Sequence, residues 1–387
     1  MKWQNVLVVP GTKDSEIGYL YGESDNYVNT NNGQKELIAG FDLDQTLIRT
    51  ESGKKFPTDE NDWIWAYTNV KNILNKFCSD GYSIIIITNQ AGIKSSESKM
   101  DEFKTKLQDI ESDLNHSHSN VAFRVFCAIF KDVHRKPFPT FLEKFSLDLS
   151  KSFYCGDGAG RGTDHTSSDI KFAYNLNLKF YTPEYVFLND KKSVGKLEYS
   201  IDVRDEICIN ETYKYEHNSN DKPELIIMVG LPASGKSFIS TEIIKKCTMN
   251  DIRTDLVSLD QIKSSTKMTK MIKAAAESEL NRTIIIDNTN LEVKKRSELI
   301  SMVKNINNDY YVRIIHVDTP FDRCIHNNYY RYYVNYKKDS KFIPDHVYKM
   351  MRNKFVIPTM SENKSIDKIE TIKPRTPSDF RYLYYYF

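Results

Sequence analysis

Short runs of apolar residues recur along the chain, as in SIIIIT (83–88), VAFRVFCAIF (121–130), ELIIMVG (224–230), TIIID (283–287) and YYVRIIHVD (310–318). They are too short for helices and apolar on successive positions, the pattern of strands covered on both faces of a parallel sheet. Between them apolar residues return every third or fourth position. Ile64, Val70, Ile73, Leu74 and Phe77 share one face of a helix predicted over 63–77, and similar spacing predicts helices over 99–114, 169–176, 235–247, 267–280 and 293–304. Further strands are expected at ELIAGF (36–41), SFYCGD (152–157), KFYT (179–182) and TDLVSLD (254–260). Strand and helix in alternation mean an α/β fold. The alternation fades between Leu188 and Pro223 into polar text such as INETYKYEHNSNDKP, so two doubly wound parallel-sheet domains are expected, over 1–205 and 223–387, with a linker at 206–222. No internal repeat relates the halves, and the closing YLYYYF reads as a packed aromatic tail.

Composition narrows the class without naming a function. With 387 residues, 40% hydrophobic and 27% charged, the chain is an ordinary globular one with room for two or three cores. A net charge of +2 gives no global attraction to a polyanion, so any nucleic-acid contact must come from local basic patches. Six scattered cysteines, with no CxxC pair and no zinc-ligand spacing, read as reduced thiols. The opening MKWQNVLVVP is too short for a signal peptide, and no run approaches the roughly 20 apolar residues of a membrane span. A soluble intracellular monomer is expected, in nucleus, cytoplasm or a viral replication compartment, with no membrane partner.

The chemistry starts at FDLDQT (41–46), where two acids stand at the end of an apolar strand. Ligands of open parallel sheets gather at the carboxyl ends of strands, and there Asp42 could attack phosphorus while Asp44 protonates the leaving oxygen and later deprotonates water. Two acids alone would repel a phosphate, so cations are required. Thr88 ends SIIIIT, Lys136 in HRKP brings positive charge, and Asp157 in CGDGAGR offers a Mg2+ ligand at another strand end. Singly, each motif is more often a turn, a cap or a solvated corner; four in this order reverse that preference.

The order DxDxT, T, K, GD resembles the haloacid dehalogenase superfamily of phosphatases. TNQAGI (88–93), RKP (135–137), CGDGAGR (155–161) and TPEYVFL (182–188) are similar to the phosphatase domain of the polynucleotide kinase 3'-phosphatase family, DNA end-repair enzymes. That resemblance implies Asp42 as nucleophile, Asp44 as general acid and base, Thr88 and Lys136 as phosphate holders, and Asp42, Asp44 and Asp157 around magnesium. It leaves the last acid open between Asp164 and Asp169, and it places Asn89 and Gln90 near the substrate. Gln45 stands where the family usually has glycine.

A second motif, GLPASGKS, fits the phosphate-binding loop G-x-x-x-x-G-K-[ST] without a gap, between an apolar strand and a helix pattern. Backbone N–H groups of Gly230, Ala233, Ser234 and Gly235 would face phosphate oxygens, Lys236 would reach the outer phosphates of ATP, and Ser237 would ligate Mg2+. Downstream of this loop VSLDQI (257–262), IIIDNTN (284–290) and HNNYYR (326–331) again resemble polynucleotide kinase. The resemblance implies Asp260 as general base for a 5'-hydroxyl, Asp287 and Asn288 as acceptor-site groups, and Arg331 as a lid arginine. Leu259 stands where relatives carry arginine, and Arg296 is the expected substitute.

A domain that removes a phosphate beside one that adds a phosphate is coherent if they act on different ends of a strand break. The expected partners are therefore DNA ends bearing 3'-phosphate and 5'-hydroxyl, with RNA left open. The expected cofactors are Mg2+ and ATP. Lys94, Lys99, Lys131, Arg135, Lys294, Lys295, Lys337 and Lys338 are candidate phosphate contacts. Tyr329, Tyr330, Tyr332 and Tyr333 suit core packing better than base stacking. Some 35 residues precede the first phosphatase strand, so no phosphopeptide-binding module is expected. The rival readings are a metabolite phosphatase fused to a metabolite kinase, and a non-catalytic end-binding protein.

Overall fold

The computed structural model describes residues 1–9, 17–28, 35–93, 96–116, 120–130, 132–142, 145–197, 213–218, 222–262, 264–278, 282–335 and 342–373, without the side chains of 5–9, 17, 260–261 and 333–335. The chain divides into two units, residues 1–199 with the last six residues and 200–381.

The first unit runs β1 (Lys2–Val9), β2 (Ile17–Glu23), β3 (Ile38–Phe41), a small hairpin β4 (Ile48–Arg49) and β5 (Ile64–Trp65), and α1 (Val70–Ser79). It continues with β6 (Ser83–Asn89), α2 (Glu97–Leu114), β7 (Phe123–Ala128), β8 (Phe153–Cys155), α3 (Ser168–Asn175), β9 (Lys179–Tyr181) and α4 (Pro183–Phe187). The sheet order is β1-β2-β7-β6-β3-β8-β9. From β7 to β9 it is parallel, while β1 and β2 pair antiparallel on the β7 edge. The opening MKWQNVLVV is thus an edge strand. The helix expected over 63–77 begins only at Val70, because Ile64 and Trp65 pair with Ile48 and Arg49 instead. β3 lies between β6 and β8, the point where the chain reverses its direction across the sheet, so its carboxyl end opens into a crevice.

The second unit runs β10 (Glu224–Val229), α5 (Lys236–Met249), β11 (Arg253–Val257), α6 (Leu259–Ile262), α7 (Ser265–Ala276), β12 (Arg282–Ile286), α8 (Val293–Lys304), β13 (Tyr311–Val317), α9 (Phe321–Asn335), α10 (Asp345–Lys354) and β14 (Lys368–Ile372). All five strands are parallel, in the order β11-β12-β10-β13-β14. Every residue of β10 and β12 is buried, including the polar Glu224, Arg282 and Thr283 at their starts.

Part of the expected linker is packed. Tyr215 is buried against Ile226, Met228 and Ile243, and its hydroxyl donates to the fully buried Glu224 at 2.5 Å. Arg313 answers with ion pairs to Glu224 at 2.5 Å and Glu370 at 2.6 Å, and donates to the Glu216 carbonyl at 2.9 Å. Tyr213 donates to Glu370 at 2.8 Å. Residues 213–218 are therefore strapped to the second sheet by buried charge. Replacing Arg313 with Met should destabilise this unit by about 3–5 kcal/mol in urea denaturation, because Glu224 is left charged and buried. A loss below about 1 kcal/mol would show that the network carries no stability.

Candidate active sites

The apolar strand β3 ends at Phe41, and Asp42 and Asp44 follow it directly, with Leu43 between them turned into the core. Asp42 N donates to the Cys155 carbonyl at 2.9 Å, which ties the first acid to the end of β8. Gln45 has φ 58°, in the left-handed region. This gives the physical reason for glycine at that place, since a residue with Cβ pays roughly 1–2 kcal/mol there.

Lys136 is the centre of the site. Its ammonium is buried and donates to Asp42 Oδ1 at 2.7 Å and Tyr154 Oη at 2.9 Å, with Asp169 Oδ1 also at 2.7 Å as an ion pair. That Asp169 oxygen is buried and makes no other hydrogen bond. Asn89 clamps the Lys136 backbone: its Oδ1 accepts from Lys136 N at 2.9 Å, and its Nδ2 donates to Lys136 O at 3.2 Å. Both ends of the Asn89 amide thus hold the lysine backbone, which leaves one N–H and one lone pair of the amide. Gln90 is similarly occupied, donating to Asp44 Oδ2 at 2.5 Å and to Thr88 Oγ1 at 3.0 Å.

Asp42, Asp157 and Asp169 each present an oxygen within 4.8 Å of the others. Three hard carboxylate oxygens, one of them buried without a hydrogen bond, suit Mg2+. Asp44, expected among the magnesium ligands, stands outside this group because its carboxylate is held by Gln90. The open choice falls to Asp169. Asp164 is instead engaged by Arg161, whose Nε lies 2.9 Å from it and whose Nη1 reaches Glu184 at 3.0 Å. Gly156 and Gly158 make room for Asp169: a Cβ on either would come within 2.5 and 2.7 Å of its carboxylate. The sequence missed Tyr154, and it missed Thr46, whose Oγ1 accepts from Asp157 N at 3.1 Å.

The electrostatics follow from crowding. Burial, then the neighbouring Asp42 and Asp169, push the Asp157 carboxyl up to about 8. Burial raises Asp169 to about 6, with the Lys136 charge pulling the other way. Burial also raises Asp42 and Asp44, with Lys136 opposing it at Asp42 and Gln90 opposing it at Asp44. Burial alone would lower the Lys136 ammonium, but Asp169 and Asp42 outweigh it and hold it above its ordinary value.

In the second unit the glycine-rich turn between β10 and α5 has φ 153° at Gly230, 56° at Ala233 and 100° at Gly235. Lys236 Nζ donates to the carbonyls of Gly230 at 3.0 Å and Leu231 at 2.7 Å. Ser234 is buried and Ser237 is exposed on the first turn of α5. The loop is braced from outside by Thr319 donating to Ser234 O (2.7 Å), Asn327 to Ala233 O (3.0 Å) and Tyr348 to Pro232 O (3.2 Å). Asp260 lies in α6, its side chain outside the described ones; Asn288 Oδ1 accepts from Leu259 N at 2.8 Å and holds the start of that helix. Asp287 is buried at the end of β12. Arg331 is part-buried within α9, its Nη2 3.5 Å from Asn328 Oδ1.

Arg296 is a correction. It is fully buried, makes a two-pronged pair with Glu362 at 2.7 and 2.5 Å, and donates to the carbonyls of Asn290 and Leu291. These bonds take four of its five N–H groups and brace the loop after β12, and full burial keeps the guanidinium from an acceptor phosphate. Lys99, Lys294 and Lys295 are exposed, whereas Lys94, Lys131, Lys337 and Lys338 lie outside the described residues. Tyr329 and Tyr332 pack edge-on against Phe342 at 4.9 and 5.4 Å; the Tyr333 side chain lies outside the described ones, as do the terminal YLYYYF residues.

Two phosphate-handling sites, a carboxylate cluster at one sheet's switch point and a phosphate loop on the other, define a two-headed phosphoryl-transfer enzyme. Residues 37–187 match the family model described as polynucleotide kinase 3 phosphatase, and residues 225–358 match that described as AAA domain. A bifunctional polynucleotide phosphatase/kinase of Schizosaccharomyces pombe is 32% identical over 336 residues, spanning 85% of this chain and 78% of that protein. The chain belongs to the bifunctional polynucleotide phosphatase/kinase family, with a haloacid dehalogenase-like phosphatase unit followed by a phosphate-loop kinase unit. A polynucleotide 3'-phosphatase of Saccharomyces cerevisiae is 28% identical, covering 39% of this chain and 87% of its own length. The polynucleotide 3'-phosphatase ZDP of Arabidopsis thaliana is 32% identical, covering 50% of this chain and 29% of its own.

The raised Asp157 carboxyl gives a test with a definite sign. Between about 4 and about 8 the folded chain keeps a proton that the unfolded chain has lost, so this group's stabilisation is lost as pH rises through that window. In metal-free buffer Asp157→Asn should melt progressively higher than the parent as pH rises from 6 to 8, and added Mg2+ should raise only the parent. A difference that shrinks with pH would refute the crowding.

Proposed function

We propose that the chain heals nucleic-acid breaks, removing a 3'-phosphate in the first unit and phosphorylating a 5'-hydroxyl with ATP in the second, with DNA ends as its substrates. The observation carrying this is the Lys136–Asp42 pair at 2.7 Å inside the three-carboxylate cluster, in a chain that also holds an intact phosphate loop. Asp42 attacks phosphorus and forms an aspartyl-phosphate as the ester oxygen leaves. Asp44, its carboxyl pKa raised by burial and its Oδ2 fixed by Gln90, gives that oxygen a proton and then takes one from the water that cleaves the intermediate. Thr88 and Lys136 hold phosphate oxygens. Mg2+ bound by Asp42, Asp157 and Asp169 supplies charge neutralisation of the phosphate and the acids.

In the second unit the loop N–H groups and Lys236 hold the ATP phosphates, Ser237 serves Mg2+, and Asp260 takes the proton of the 5'-hydroxyl. Asp287 and Asn288 line the acceptor side, and Arg331 neutralises the transferring group. Enzymes of these two classes use Mg2+ and ATP. The enzyme acts as a monomer, and the exposed lysines give DNA binding its salt dependence.

A nicked duplex bearing 3'-phosphate and 5'-hydroxyl should lose the first with Mg2+ alone and gain 5'-phosphate only when ATP is added. Hydrolysis of free sugar phosphates with neither end changed would overturn the reading, and a preference for the RNA counterpart would transfer it to RNA. Asp42→Asn should lower 3'-phosphatase turnover by ~10^4-fold or more and spare the kinase; Lys236→Ala should do the reverse. Loss of both activities from either change would contradict two separate sites.

A further inference from the structure

Tyr154 takes no part in the phosphoryl chemistry of Asp42 and Asp44, yet it is fully buried in the middle of β8 with its hydroxyl at the phosphatase site. The hydroxyl donates to the Ile87 carbonyl at 3.0 Å and accepts from Lys136 Nζ at 2.9 Å. Burial, then the charges of Asp169 and Asp42, hold the phenol far above its ordinary value, so it stays protonated and neutral. Its ring is fixed as firmly as its oxygen. Phe172 meets it edge-on at 4.9 Å, and a Cβ on Gly40 would come within 2.8 Å of Cδ2, so β3 carries a glycine where that ring crosses it.

An ammonium has three N–H bonds and rotates freely about Cε–Nζ unless hydrogen bonds stop it. Here two directions are taken, by Asp42 and by Tyr154, and with Cε they determine the third. The third side of the ammonium faces Asp169 Oδ1, 2.7 Å away as an ion pair, an oxygen that makes no other hydrogen bond and belongs to the carboxylate cluster. A carboxylate pair alone would hold the charge in place and leave its hydrogens unaimed.

We propose that Tyr154 is a positioning residue of the phosphatase: pinned by the Ile87 carbonyl, its hydroxyl stops rotation of the Lys136 ammonium and fixes which way its N–H bonds face beside Asp42, where the phosphate is attacked. This rests on the reading that Lys136 holds that phosphate. An aimed donor gains most where charge builds on the phosphoryl oxygens, so its effect falls on turnover more than on substrate binding.

The test is Tyr154→Phe in the full chain, which removes one oxygen and keeps the ring. On a 3'-phosphate oligonucleotide kcat should fall 10- to 100-fold with KM changed less than about 3-fold, and inhibition by orthovanadate should weaken by the same factor as kcat while inhibition by inorganic phosphate barely moves. Mg2+ binding followed by calorimetry and 5'-kinase activity should match the parent, which shows that the carboxylate cluster and the second unit are intact. Unchanged kcat, a KM rise without a kcat fall, or loss of Mg2+ binding in step with activity would each overturn the proposal. Lys136→Met separates the two readings. If it leaves 3'-phosphatase activity at the parent level, the assignment of Lys136 falls, and Tyr154 with it; if it abolishes the activity while Tyr154→Phe is silent, only the inference about Tyr154 falls.

Discussion

The first unit is organised around one buried ammonium among acids. Asp42, Asp157 and Asp169 converge within 4.8 Å, a separation at which each ionised pair repels by about 3–4 kcal/mol at an effective dielectric constant near 20. Lys136 is held among them through both its backbone and its head, the first by Asn89 and the second by Asp42 and Tyr154. The glycines at 156 and 158 exist to let Asp169 approach the end of the neighbouring strand. The parallel sheet contributes rigidity: Asp42 and Asp157 follow the ends of the paired strands β3 and β8, whose register is fixed, while Asp169 comes from α3 and Lys136 from the loop after β7.

The second unit solves a different problem, a backbone that must expose N–H groups in an unusual conformation. Three side chains, Thr319, Asn327 and Tyr348, take carbonyls of the loop and hold its turn in place. Arg296 does the same for the loop after β12. Buried arginine pairs thus shape both ends of this sheet, with Glu362 near the phosphate loop and Glu224 at the opposite end of β10.

Much of this was legible in the residues. Apolar runs marked the buried strands, and the order of DxDxT, T, K and GD marked the site because all but the lysine sit at a strand end. What was not legible depends on pairing between distant residues. Arg296 looked like a surface cation in VKKRSE until Glu362, 66 positions away, claimed it. The hold of Asn89 on Lys136 was hidden because its partner is a backbone, which leaves no trace in side-chain text. The 213–218 segment read as linker since its tyrosines bury their rings while bonding to charges, so no apolar period arises. Asp169 could not be chosen over Asp164 from sequence because only the turn geometry sends one inward and the other to Arg161.

The edge hairpin carries a consequence in time. β1 and β2 pair locally, but the strand they lean on, β7, joins Leu20 to Cys127 and Glu23 to Arg124, about a hundred residues downstream. At roughly 5–20 residues per second of synthesis, the inner edge of β2 leaves the ribosome some five to twenty seconds before its partner. During that interval an unpaired strand edge stands open to any other extended chain.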